Sequence, residues 1–202
     1  MKMDKVVINA VVSTLCAIAL LCGLALGFAA WLYPSTMMKI SYAVGNDVGA
    51  MKYAYRAYEA TDEVYYVAFA TEVAIGMDEP EEVKYYGEKF VAEAEIFQAY
   101  CAEIDQKNGY ADGEYARYVV GRLVVAKYEL GEVNEAKSYA FSTLKGGFAK
   151  NNAVVALLFA AIQNGDAVTA NEIVAELKQT TVVGESDVNY LNSLLAAFDK
   201  LD

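Results

Sequence analysis

From Val6 to Tyr33 the chain runs for 28 residues without a charged side chain. A helix rises about 1.5 Å per residue, so roughly 20 apolar residues cross about 30 Å of hydrocarbon. This run does so with length to spare. Lys2 and Lys5 precede it, and Trp31, Tyr33 and Pro34 close it, an arrangement that places aromatic rings at a membrane–water boundary. We therefore expect an N-terminal transmembrane anchor over residues 1–33 and a separate water-soluble domain over residues 34–202. A cleaved signal peptide is the competing reading: the basic start fits it, and Ala25-Leu26-Gly27 offers a cleavage site. The apolar core of such peptides spans only about 7–15 residues, however, whereas this one continues through Phe28 to Leu32. On that second reading the remainder is a secreted helical domain.

Orientation rests on a few charges. Lys2, Lys5 and the terminal amine lie before the run, against Lys39, Asp47 and Lys52 after it. The bias of Lys and Arg toward the cytoplasm places the N-terminus inside and the domain outside, a single-pass topology. Inside the run, Ala19, Gly23 and Gly27 recur every four residues. Small residues at that spacing leave a flat stripe along which a second helix packs closely. A homo-oligomer through the transmembrane helix is therefore one partner reading, although Gly and Ala are common in membrane helices anyway.

Beyond the run the chain is acidic. Setting aside Lys2, Asp4 and Lys5, it carries 14 basic against 26 acidic side chains. Phosphate backbones and anionic lipid surfaces need clustered Lys and Arg, so nucleic acid is a poor partner. Cys16 and Cys22 lie inside the run, which leaves Cys101 alone in the domain and rules out a disulfide within it. Proline occurs only at 34 and 80, and apolar residues recur at three- and four-residue steps, as at Val119, Val120, Leu123, Val124 and Tyr128. That periodicity predicts helices and an all-α fold. Asp78 ahead of Glu79-Pro80-Glu81-Glu82 reads as a helix start, with a cap, an early proline and acidic residues at the positive end of the dipole. From Pro80 one helix is expected to run to about Gln106, followed by a loop from Asn108 to Glu114. Ser186 or Asp187 is positioned to cap a last helix ending near Leu201.

The breaks between helices are spaced. Gly131 and Gly165 lie 34 residues apart, and each is followed by alanine five residues on, Ala136 and Ala170. Ala140 and Thr143 continue the first copy, Val174 and Leu177 the second. Gly45 opens the same pattern with Ala50, Ala54 and Ala57, and Asp78 opens a weaker one with Val83, Gly87 and Phe90. The segment from Ala126 to Leu144 resembles the tetratricopeptide repeat, whose unit of about 34 residues sets an aromatic before a turn glycine and then alanine. The glycine turns a helical hairpin, and the alanine lets its two helices approach. The resemblance implies antiparallel helical hairpins in a tetratricopeptide-like α-solenoid of about four units. Val124 and Leu158 stand where the family has a small residue, Phe148 stands at its closing proline, and about 19 residues interrupt the array between 78 and 131. A non-repetitive helical bundle remains the alternative.

Catalytic signatures are missing. The chain has no histidine, which removes Ser-His-Asp and Cys-His catalysis and histidine metal ligands. Cys101 sits between Ala99-Tyr100 and Ala102 and reads as a core residue. The acidic stretch from Glu79 to Glu103 reads as a solvated helix face. No phosphate-cradling or dinucleotide glycine motif occurs. We expect no catalysis, no cofactor and no metal. What remains is a surface. The tetratricopeptide resemblance implies a groove lined by the first helix of each hairpin, holding a protein or peptide partner found at the membrane. Carried across the two better copies, that groove presents Tyr118, Arg122, Val125, Tyr128 and Glu129, then Asn152, Val155, Phe159 and Gln163. Gly121 and Val125 stand where the family's carboxylate clamp would sit, so the groove is expected to be aromatic and apolar with few charges. The expected function is a membrane-anchored interaction scaffold, with a structural subunit assembled through its transmembrane helix as the alternative.

Overall fold

The structure, a computed structural model, describes residues 5–146 and 152–179, together with 189, 190, 192, 193 and 196. Among the described residues there are ten α-helices and no strand. The last helix expected from Ser186 or Asp187, and Phe148 at the repeat's closing position, lie outside those residues. The chain divides into two units, Met1–Tyr66 and Val67–Asp202, with the fourth helix crossing the boundary.

In the first unit, α1 (Lys5–Leu32) is one unbroken helix of 28 residues. Its apolar stretch from Val7 to Leu32 is long enough to cross a membrane and is exposed apart from its last turns, where Ala30 is buried. Tyr33 breaks the helix (φ −130°, ψ 60°), and α2 (Pro34–Ala43) begins at the next residue with proline at its first position. Proline is accommodated there because the first turn has no use for its N–H. Gly45 then turns the chain at φ +73°. Asn46 caps α3 (Asp47–Thr61) by accepting the Gly49 N–H at 3.0 Å. α2 packs on α3, and Ala50, Ala54 and Ala57 are buried.

The fourth helix, α4 (Val64–Met77), ends at Asp78, a left-handed residue at φ +55°. Asp78 does not cap the helix that follows: it stands one residue before the cap position, and its carboxylate pairs with Arg122. Glu79 takes the cap position, and α5 (Pro80–Val91) has proline at its start with Glu81 and Glu82 in its first turn.

The single long helix expected from Pro80 to about Gln106 is two helices, α5 and α6 (Ala94–Asn108), broken at Ala92-Glu93. In a straight helix residues seven apart sit about 10 Å apart along the axis. The bend brings the buried rings of Phe90 and Phe97 to a 4.9 Å edge-to-face contact, a favoured aromatic geometry. The interrupting residues thus form a separate helix.

After Gly109 and Gly113, both left-handed, comes α7 (Glu114–Glu129). It packs against α5, α6, α8 (Val133–Ser142) and α9 (Ala153–Gln163). Its start is tied down from α6, since Asp105 accepts the Tyr115 N–H at 2.9 Å. The Tyr115 hydroxyl bonds Glu72 of α4. Burial, and then the Asp105 charge, push the adjacent Cys101 thiol up to about 12.

Gly131 (φ +80°) joins α7 to α8, and Gly165 (φ +66°) joins α9 to α10 (Ala167–Gln179). Each of these helix pairs is packed together. Ala136, Ala140 and Ala170 are wholly buried between them, with Val124, Leu157, Leu158, Ile173 and Leu177 filling the same core. Val124 and Leu158 therefore occupy buried space where a tetratricopeptide repeat has a smaller residue.

Candidate functional site

α7 turns one stripe of side chains toward α9, at the three- and four-residue steps of a single helical face. Glu114, Arg117, Tyr118, Gly121, Arg122, Val125 and Glu129 lie along it, and Ala156, Phe159, Ala160 and Gln163 answer from α9. Together with Asp78 and Asn164 they enclose an open cleft of about 520 Å³. Its floor is narrow because Gly121 has no side chain: a Cβ there would touch the Ala156 Cβ at 3.4 Å. Tyr118 and Phe159 stand 49% and 40% exposed, so two rings face water above small residues.

Charge is distributed unevenly along this stripe. Arg122 is ion-paired with Asp78. Glu129 is held above the usual carboxylate range, first by partial burial and then by the nearby Asp78 charge, with Arg122 opposing. Glu114 reaches back to accept the Ala111 N–H at 2.9 Å. The Nη1 of Arg117 donates to the Asp112 carbonyl at 3.0 Å. It lies 3.0 Å from where a Cβ on Gly113 would stand, so a left-handed glycine both turns the loop and admits the guanidinium. The Nε–H groups of Arg117 and Arg122 are buried and meet no acceptor among the described residues.

Tyr118, Arg122, Val125, Glu129, Phe159 and Gln163, all expected in the groove, line this one cleft. Tyr128, Asn152 and Val155 do not. The Tyr128 ring is packed in the core, its hydroxyl donates to Asp166 at 3.1 Å, and burial followed by that bond raises it to about 12. Asn152 is 4% exposed and caps α9 by accepting the Val154 N–H at 2.6 Å. Val155 is 2% exposed. Nor is the cleft poor in charge as expected, since Asp78, Glu114, Arg117, Arg122 and Glu129 all line it. Arg117 was missed, although it belongs to the same α7 stripe one step before Gly121.

A second concavity of about 410 Å³ lies over α5, α7 and α8, around Leu123, Lys127 and Tyr139. Lys127 is 8% exposed and is neutralised by Glu88 and Glu135. That is a buried charge held by its partners. Among the described residues no group of three or more His, Cys, Asp or Glu is placed to hold a metal ion. In α1, Ala19, Gly23 and Gly27 are exposed, and nothing lies within 4 Å of a Cβ on either glycine.

Searched against protein-family models, curated proteins and solved structures, the chain matches none of them.

Proposed function

We propose that this chain is a membrane-anchored scaffold that holds a segment of a partner protein in the cleft between α7 and α9. The helical hairpins belong, on this reading, to a tetratricopeptide-like array, and α1 crosses the bilayer once with the N-terminus in the cytoplasm. The observation that carries it is the cleft itself: two exposed aromatic rings over a Gly121–Ala156 floor, with the Arg117 and Arg122 guanidinium groups beside them. Aromatic and arginine side chains grouped around a small-residue floor are what peptide and protein partners use as anchoring points.

The test is site-specific photo-crosslinking of the full chain in its native membrane. A photoreactive side chain at position 118 or 159 is expected to give discrete adducts that one at exposed Val168 does not. Equal labelling at all three positions overturns the reading.

The open glycine stripe of α1 favours a second reading, a structural subunit assembled through that helix. Gly23→Leu with Gly27→Leu then abolishes assembly while leaving the position-118 adducts in place.

A further inference from the structure

The cleft contains one cation with no charge partner. Ion pairs among the described residues engage Lys84, Arg122, Lys127 and Lys137, and Arg117 is in none of them. Its Nε–H is buried without an acceptor, and its Nη1 is spent on a backbone carbonyl. Glu114 is turned to the Ala111 N–H, and Asp78 is taken by Arg122. Glu129 lies twelve positions further along α7, roughly 18 Å away and beyond the screening length of physiological salt. The Gly113 turn fixes where the guanidinium sits before any ligand arrives, so little ordering is left to do on binding. The guanidinium lines the cleft with N–H donors besides the one given to Asp112, and a carboxylate accepts charge-assisted bonds from a fixed guanidinium. One residue on is the exposed ring of Tyr118, facing Phe159 across the floor.

We propose that the cleft selects an extended partner segment carrying one internal Asp or Glu side chain for Arg117, beside an aromatic or branched apolar side chain seated between Tyr118 and Phe159. This deepens the peptide-binding reading above and rests on it. A single carboxylate is the requirement, because the net charge of −11 works against an acidic segment at longer range.

The experiment uses the full chain in lipid nanodiscs and a phage library of random heptapeptides fused through their C-termini, so that no peptide offers a free terminal carboxylate. Selection is counter-screened on empty nanodiscs. Enriched sequences are expected to place Asp or Glu next to Phe, Tyr, Trp, Leu or Ile. As synthetic amidated peptides followed by fluorescence anisotropy, they are expected to lose about tenfold in affinity when the acid becomes its amide. Arg117→Gln costs the same factor on the acidic peptide and nothing further on the amide, with far-UV circular dichroism unchanged. Arg117→Lys, which keeps the charge and loses the fork, retains part of the affinity and serves should the glutamine variant misfold. Peptides that depend on Phe159 but carry no acid overturn this inference and leave the cleft reading standing. Peptides indifferent to Phe159→Ala, or no enrichment over empty nanodiscs, overturn both.

Discussion

Replacing Asp166 with alanine removes two bonds from the point where α7, α9 and α10 meet. One carboxylate oxygen accepts the Thr169 N–H at 3.0 Å, capping the first turn of α10. The other accepts the Tyr128 hydroxyl from the end of α7 at 3.1 Å. A lost cap costs about 1 kcal/mol, and a lost hydrogen bond that leaves its donor half-satisfied costs a further ~1 kcal/mol. The total is near 2 kcal/mol, or about 30-fold in the opening equilibrium of α10. Asp166→Asn keeps one oxygen for the Thr169 N–H, and its amide N–H donates to the Tyr128 hydroxyl where the second oxygen had accepted from it, so the loss is chiefly the charge at the positive end of the helix, about 0.5 kcal/mol.

Amide hydrogen exchange of the full chain in micelles, read by mass spectrometry over peptides covering Ala167–Gln179, resolves these values. Asp166→Ala is expected to speed exchange about 30-fold there, and Asp166→Asn two- to three-fold. The pH arm carries a definite sign. Bonds to Thr169 first, with Tyr128 assisting, hold the Asp166 carboxyl below its ordinary range. Its stabilisation is therefore present above about pH 4 and is lost as pH falls through its folded value. Asp166→Asn should lack that acid dependence. Equal losses for alanine and asparagine, or a loss spread evenly over α5 to α10, would refute the capping argument.

Two further outcomes follow from backbone and burial. Gly131→Ala and Gly165→Ala each force a side chain into left-handed backbone, at φ +80° and +66°, with nothing within 4 Å to obstruct the new Cβ. Thermal unfolding should show a loss of about 1 kcal/mol apiece from that strain alone, and neutral substitutions would contradict the turn assignment. Cys101 is 1% exposed, with its thiol pushed up to about 12. In a Cys16→Ser, Cys22→Ser background, iodoacetamide at pH 8 should modify it only at the rate of global unfolding, and prompt labelling would show that the α6 core opens locally.

The hairpin turns were legible because left-handed backbone is costly for most residues. It falls at Gly45, Gly131 and Gly165, each followed by alanine five residues on, and at Asp78, which opens the weaker copy; Asp62, between α3 and α4, shares it without any such signal. The α5–α6 break was not legible, because Ala92-Glu93 carries neither glycine nor proline and the bend is set by how Phe90 meets Phe97 and Tyr100. The cleft was half legible. Periodicity along α7 places Tyr118, Arg122 and Val125 on one face, but the next step of that face is Glu129. Tyr128 stands about 100° round the helix, where it meets Asp166, a partner 38 residues on that no local pattern contains. Asn152 comes to the groove only through the tetratricopeptide resemblance, which does not mark where α9 starts; the residue is its N-cap.

The same geometry makes binding and stability separable on α7. Tyr115, Ala116, Val119, Gly121, Leu123, Val124, Ala126, Lys127 and Tyr128 are all buried in this helix, which neighbours four others. Of the less buried positions, Glu114, Arg117, Tyr118, Arg122, Val125 and Glu129 form the stripe that lines the cleft above Gly121. Truncating Leu123 or Val124 leaves a cavity, and large-to-small changes in a core cost about 2–5 kcal/mol. Tyr118 is half exposed, so truncating it creates no cavity and should change stability by no more than about 0.5 kcal/mol. A partner-binding defect in Tyr118→Ala therefore reports on the cleft, whereas the same defect in Leu123→Ala reports on the fold. Arg117 lies between these cases: Arg117→Gln gives up one bond to the Asp112 carbonyl and keeps most of the side chain's volume. If it lowered stability as much as Leu123→Ala, the guanidinium would also be a structural element of the α6–α7 loop, and its recognition role would then be judged on Arg117→Lys, which keeps the charge.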